Sequence, residues 1–291
     1  MSKSLLICLS ELFSTMDTMD IEKASSLFHL SLNESCSETI ILVHGFSATH
    51  REYAFVWPHL SDYHVLLPDL PSHGGSMHIP LDTLCGAADL VADVIRSKAH
   101  HGQAHVVGLS MGGAISLLLA QRHPDIILTL FVTGVAGASP KKHQQSWIPY
   151  VVPVVLAMVK PVLYLPRPFQ RWFCRRFANG MELPDGLVED VRKNLRFSTS
   201  KRASIQIHQL DFSPLKTLAI RTIVVAGDVH DSVEGARLLG QTVQQGNPDS
   251  CAITIPGGIH TWDMQFPLLF AGSVIAWIKH TPLPEECKPL K

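Results

Sequence analysis

The chain has no C-x-x-C pair: its six cysteines (Cys8, Cys36, Cys85, Cys174, Cys251 and Cys287) are scattered. A chain of 291 residues can bury a core without covalent staples, so a disulfide framework is neither needed nor suggested. Long apolar runs are missing too. Leu5 to Leu9 is too short for the apolar region of a secretory signal, and Trp147 to Leu165 is interrupted by Pro149, Pro153, Lys160 and Pro161. Charge of one sign is not in excess: the formal net charge is −1 and the pI about 7.0, which argues against a whole-protein fit to nucleic acid. Sixteen histidines form neither H-E-x-x-H nor H-x-H-x-D, and no G-x-G-x-x-G follows the first strand. The expectation is a cytoplasmic protein, or one peripheral to a membrane, with no metal, no cofactor and no nucleic-acid partner.

What is present is ordinary globular composition, 46% hydrophobic and 17% charged. From about Ser26, short apolar runs alternate with helical stretches. Segments 27–32 and 39–46 read as neighbouring strands, and YHVLLPD (63–69) as a third. Leu84, Ala88, Val91 and Val94 recur three or four apart on one face of a helix over 81–99. Strands over 104–110, 128–135, 221–228 and 251–258 follow, with helices over 112–122, 233–244 and 266–279. Continuous apolar strands separated by helices predict an α/β fold, a mostly parallel twisted sheet covered on both faces. Chemistry in such sheets sits beyond the carboxyl ends of the strands. Residues 138–214 break the alternation and read as a helical insertion in a core of 26–137 and 215–282, while 1–25 show little predicted structure.

Gly108-Leu109-Ser110-Met111-Gly112 lies between the apolar strand AHVV and the helical GGAISLLLA. A strand that turns straight into a helix holds the intervening residue in a strained conformation, and side chains at the flanking glycines would collide. Ser110 then stands at a helix N-terminus, where backbone N–H groups favour developing negative charge. A serine needs a base. His260 is singled out because it follows the strand CAITIPGG and precedes the last helix, and IVVAGDVHD supplies an acid, Asp231 or Asp228. Asp231 is preferred, since Asp228 abuts the strand end. The oxyanion donors expected are the backbone N–H groups of Met111, the residue after the nucleophile, and Phe46, in the loop after the earlier strand.

LVHGF, LLPDLPSHGGS, VVGLSMGG, IVVAGDVHD and GGIHTWD together resemble the α/β-hydrolase superfamily over about 27–280, apart from the insertion. The order Ser110, Asp231, His260 is the order of that family. The resemblance implies that 138–214 is a lid over the active site. Ser72 stands where the family's D-x-P-G-H-G-x-S turn usually has glycine. The activity implied is hydrolysis of an ester, thioester or lactone through an acyl-enzyme on Ser110. A lyase or cyclising tailoring enzyme on the same fold, and a non-catalytic ligand sensor, are the alternatives.

The lid begins with an apolar run, from which Trp147, Val151, Val155 and Met158 are the candidate substrate-binding residues for a partly apolar small molecule. Twelve of the 24 Lys and Arg fall between 138 and 202 against four acidic residues, so that segment carries +8 and the rest −9. Arg167, Arg171 and Arg175 are four apart beside Phe169, Trp172 and Phe173. Such a stripe suits an anionic carrier or an acidic membrane surface, or else it pairs with acidic residues and merely docks the lid.

Overall fold

The strand Thr39–Val43 (β2) is buried at all five positions, which a strand achieves only when both faces of its sheet are covered. Its side chains alternate between two cores. Ile41 and Val43 join the cluster under the helices Leu84–Lys98 (α1), Met111–Arg122 (α2) and Val233–Gly246 (α7), and Ile40 and Leu42 join the cluster under Pro267–Lys279 (α9). This computed structural model describes residues 26–135 and 148–290.

The sheet has eight strands in the order β1-β3-β2-β4-β5-β6-β7-β8. These are His29–Leu32 (β1), β2, His64–Pro68 (β3), Ala104–Leu109 (β4), Ile127–Thr133 (β5), Thr222–Gly227 (β6), Cys251–Ile255 (β7) and Lys288–Pro289 (β8). β2 to β7 run parallel, and the two edge strands pair antiparallel. The order reverses between β2, whose successor β3 lies on one side, and β4, from which the chain proceeds to the other. A crevice opens at such a switch point, at the carboxyl ends of the two strands.

Two expectations are corrected. β1 and β2 follow one another in the chain but are not neighbours: both edges of β2 are taken in parallel register, Ile40 by Val65 of β3 and by His105 of β4. β1 is therefore left with the outer edge of β3, His29 facing Pro68. The sheet also extends past residue 282, where Lys288 and Pro289 pair with Thr254 and Ile253 of β7.

Between β5 and β6 the described residues form Ile148–Val159 (α3), Arg167–Phe177 (α4), Leu187–Asn194 (α5) and Phe197–Gln209 (α6), and no strand. This helical insertion is tied to the core by polar contacts. Asn194 is buried, donates to the Ser47 and Ala48 carbonyls and accepts from the Gly74 N–H, while Asp190 accepts from the Thr49 hydroxyl. After β7 the chain makes a single turn, Trp262–Gln265 (α8), before α9.

Candidate active site

Ser110 links β4 to α2 at φ 57°, ψ −116°. Strain of this kind costs of order 1–3 kcal/mol and persists only where the surroundings fix it. They do here: the Ser110 N–H donates to the Thr133 carbonyl at 2.8 Å, and its carbonyl accepts from the Ala114 N–H at 3.0 Å. The flanking glycines are obligatory. A Cβ on Gly108 would lie 2.4 Å from Ser116 Oγ, and one on Gly112 would lie 2.1 Å from the Val43 carbonyl oxygen. The structure thus places the end of β2 against the start of α2.

That approach brings two loops together. Met111 opens α2, whose first N–H groups have no carbonyl partner within the helix. The loop after β2 carries Phe46 and is held at three points. The Gly45 N–H donates to Glu52 Oε2 at 2.6 Å, His44 Nδ1 bonds the Gly45 carbonyl at 2.8 Å, and the Ser47 N–H donates to His73 Nε2 at 3.0 Å. His44 Nε2 accepts from the Leu70 N–H, so His44 works as a structural brace. Burial pushes His73 down to about 3, which keeps its Nε2 an acceptor, against the weaker upward pull of Asp69.

His260 follows β7 and bonds Asp231 Oδ1 through Nδ1 at 2.5 Å. Asp231 is held in turn by the Gly227 N–H on its second oxygen, at 2.9 Å. Asp228 is turned to another task, accepting from the Gly257 N–H at 2.7 Å. With Nδ1–H donated to Asp231, His260 keeps Nε2 free to take a proton. Burial alone would lower its pKa, but the Asp231 hydrogen bond and charge, with a contribution from Glu52, outweigh this and raise it. Gly134, at φ 66°, makes room for the ring: a Cβ there would lie 2.7 Å from His260 Cε1.

Ser110 and His260 line one cavity of about 450 Å³, together with Gly45, Phe46, Glu52, Leu109 and Thr261. The helical insertion supplies the opposite wall, Val152 and Leu156 from α3 and Ser200, Ala203, Ser204, Ile207 and His208 from α6. Val151, Val155 and Met158 do not line it, and Met158 is 74% exposed. The face of α3 that lines the cavity is the i, i+4 pair Val152 and Leu156, one position round the helix from the residues expected. Trp147 lies outside the described residues. The wall from α6 was missed, although its small and apolar residues at 200, 203, 204 and 207 carry the three-and-four spacing of a packed helix face. Glu52 was missed too; nothing around it in the sequence is periodic.

The cationic stripe on α4 meets acidic residues of its own segment. Arg167 bonds Asp185 and Glu189, Arg171 lies 3.9 Å from Asp185, and Arg175 bonds Glu182. Pairs that cross to the core are Arg202 with Asp82 and Asp190 with Arg51. Among the described residues no group of three or more His, Cys, Asp or Glu could hold a metal ion, and no helix is long and apolar enough to cross a membrane.

A model of the alpha/beta hydrolase family matches residues 40–272. An AB hydrolase superfamily protein of Gibberella zeae is 32% identical over 269 residues, 90% of this chain and 86% of that one. Lipase 3 of Moraxella sp. is 32% identical over 208 residues, 66% of this chain and 62% of that protein. In fold, the chain is similar to a thermophilic esterase from Thermogutta terrifontis, with a TM-score of 0.65 at 20% identity, over 87% of this chain and 93% of that one.

Proposed function

We propose that this chain, which belongs to the alpha/beta hydrolase family and is a hydrolase, cleaves esters of a partly apolar small molecule through an acyl-enzyme on Ser110. The observation that carries the reading is the convergence, in one cavity, of a strained Ser110 at a helix N-terminus and His260 bonded to a buried carboxylate. His260 Nε2 takes the Ser110 proton as Oγ attacks the carbonyl carbon, and Asp231 stabilises the imidazolium that forms. The oxyanion is received by the N–H groups of Met111 and Phe46. His260 then returns the proton to the leaving oxygen, and water repeats the sequence to release the acid. The names of the relatives, a lipase and an esterase among them, support ester chemistry.

The insertion acts in this reading as a cap that supplies the acyl pocket, apolar along Val152, Leu156, Ala203 and Ile207. The test is a burst of acyl-enzyme from p-nitrophenyl esters of increasing chain length. Ser110→Ala should abolish the burst and lower kcat/KM by at least about a thousandfold. A rate unchanged in that variant rejects the reading, and an optimum at the two-carbon ester rejects the apolar pocket.

A further inference from the structure

Glu52 is a buried carboxyl group on the wall of the catalytic cavity that the steps above leave unused. It lies on the helical turn His50–Tyr53, only 4% exposed. One carboxyl oxygen receives the Gly45 N–H, the shortest of the bonds that hold the loop carrying Phe46. The other lies beside the same glycine, which also borders the nucleophile: a Cβ placed on Gly45 would lie 3.4 Å from Glu52 Oε1 and 3.5 Å from Ser110 Cβ. We propose that Glu52 is a positioning residue of the hydrolase, clamping the Gly45 amide so that Phe46 N–H meets the oxyanion, and setting the protonation of His260 through its own charge. The inference rests on the triad reading above.

The titratable groups around Glu52 are His260, with Asp231 behind it, Asp263 on α8, and Tyr53 on its own turn. Asp263 is fully buried, and its oxygens find no side-chain hydrogen-bond partner among the described residues. Burial and the nearby Glu52 hold Asp263 well above the carboxylate range, against the weaker pull of the Met264 and Asp263 N–H groups. Tyr53 is kept neutral by burial and donates its hydroxyl to the Val43 carbonyl. Glu52 is the carboxyl group of this cluster that ionises near neutral pH: burial pushes it up to about 7 against the pull of the Gly45 N–H and His260. An ionised Glu52 favours the imidazolium of His260. Its effect on activity is thus to move the acid limb, on which His260 must lose its proton, toward higher pH.

Glu52→Gln retains an oxygen for the Gly45 N–H and removes the charge. In the full-length variant the His260 imidazole, followed by NMR without substrate, should titrate at lower pH than in the wild type. The acid limb of ester hydrolysis should move with it, with KM little changed. Glu52→Ala removes the clamp as well, leaving a buried N–H unpaired, and should lose a further tenfold or so in kcat. Glu52→Asp keeps a charge but is one methylene short of Gly45, so it should lose kcat while its limb stays near the wild-type position. That variant also keeps the test decisive if the Gln variant does not fold. An unshifted His260 titration in Glu52→Gln overturns the inference, as does a Glu52→Asp limb that falls as far as that of Glu52→Gln. If no ester is turned over yet the His260 titration depends on Glu52, the proposed reaction fails and the coupling stands.

Discussion

The sheet core and the helical insertion reach the same cavity by different means. In the core each proposed reacting group hangs on a loop at the carboxyl end of a strand, and each loop is held by contacts of its own. Ser110 is wedged between Gly108 and Gly112, and Asp231 is held by the Gly227 N–H. The insertion contributes two helix faces and no reacting group. Its contacts with the core are polar, through Asn194 and Asp190 among others, and apolar, with Leu187 clustered with Ala48 and Met264 and Ala203 in the main core cluster, while its ion pairs are largely its own. In the proposed mechanism the sheet thus fixes the reacting groups, while the insertion helices shape the pocket wall.

If that division holds, a small change at a core position outside the cavity lining should hurt more than a large one on the insertion. Gly134→Ala is the sharpest case. The new methyl must push His260 by more than half an ångström, and the backbone at φ 66° resists any side chain. Misplacement of a catalytic group by about 1 Å costs about a hundredfold. The expected result is a fall in kcat of roughly ten- to a hundredfold with KM nearly unchanged, read from steady-state kinetics beside a thermal melt to confirm folding. A variant with wild-type kcat would show that the imidazole is less confined than its surroundings indicate.

The insertion is tested by two adjacent substitutions. Leu156→Trp fills part of the cavity, so the preferred acyl chain should shorten by a few carbons, with modest loss on short esters. Val155→Trp, one residue away and outside the cavity wall, should leave the chain-length profile where it is. A profile shifted equally by both would mean that α3 presents a different face to the substrate.

These contrasts also separate what could be read in the sequence from what could not. Ser110, His260 and the strand series were legible because glycine spacing and apolar runs report backbone constraints that act locally. Asp231 was separable from Asp228 only by reach, and it is the hydrogen bonds, to His260 for one and to the Gly257 N–H for the other, that assign them. The face of α3 was not legible: IPYVVPVVLAMV is apolar all round, so its pattern holds no phase from which to tell Val152 from Val151. Glu52 was hidden for a different reason. It sits in a turn-rich stretch after β2, and only the folded loop carries its carboxylate back to Gly45 seven residues earlier. The place of β1 likewise depended on which edges of β2 were already occupied, a property of the whole sheet.

The smallest effect expected belongs to the charges of the insertion. By composition the segment 138–202 carries +8, and an anionic carrier, a coenzyme A ester or an acidic membrane surface would be drawn to such an excess. The stripe that made this plausible is locally answered, since Arg167, Arg171 and Arg175 all lie against Asp185, Glu189 or Glu182. Exposed pairs of this kind contribute about 0–1 kcal/mol each, so they add little stability, yet they cancel much of the field that a ligand approaching the stripe would feel. Fields from exposed charges are screened beyond about 10 Å at 0.1 M salt in any case. The preference for a coenzyme A thioester over the matching neutral ester should therefore change by less than about threefold across a salt series spanning the screening range. Charge reversal at Arg171 and Arg175 should leave it equally unmoved. A preference that collapses with salt, and collapses again in the Arg171→Glu, Arg175→Glu variant, would instead make α4 a docking face for an anionic group and give the insertion a role in recruiting substrate as well as enclosing it.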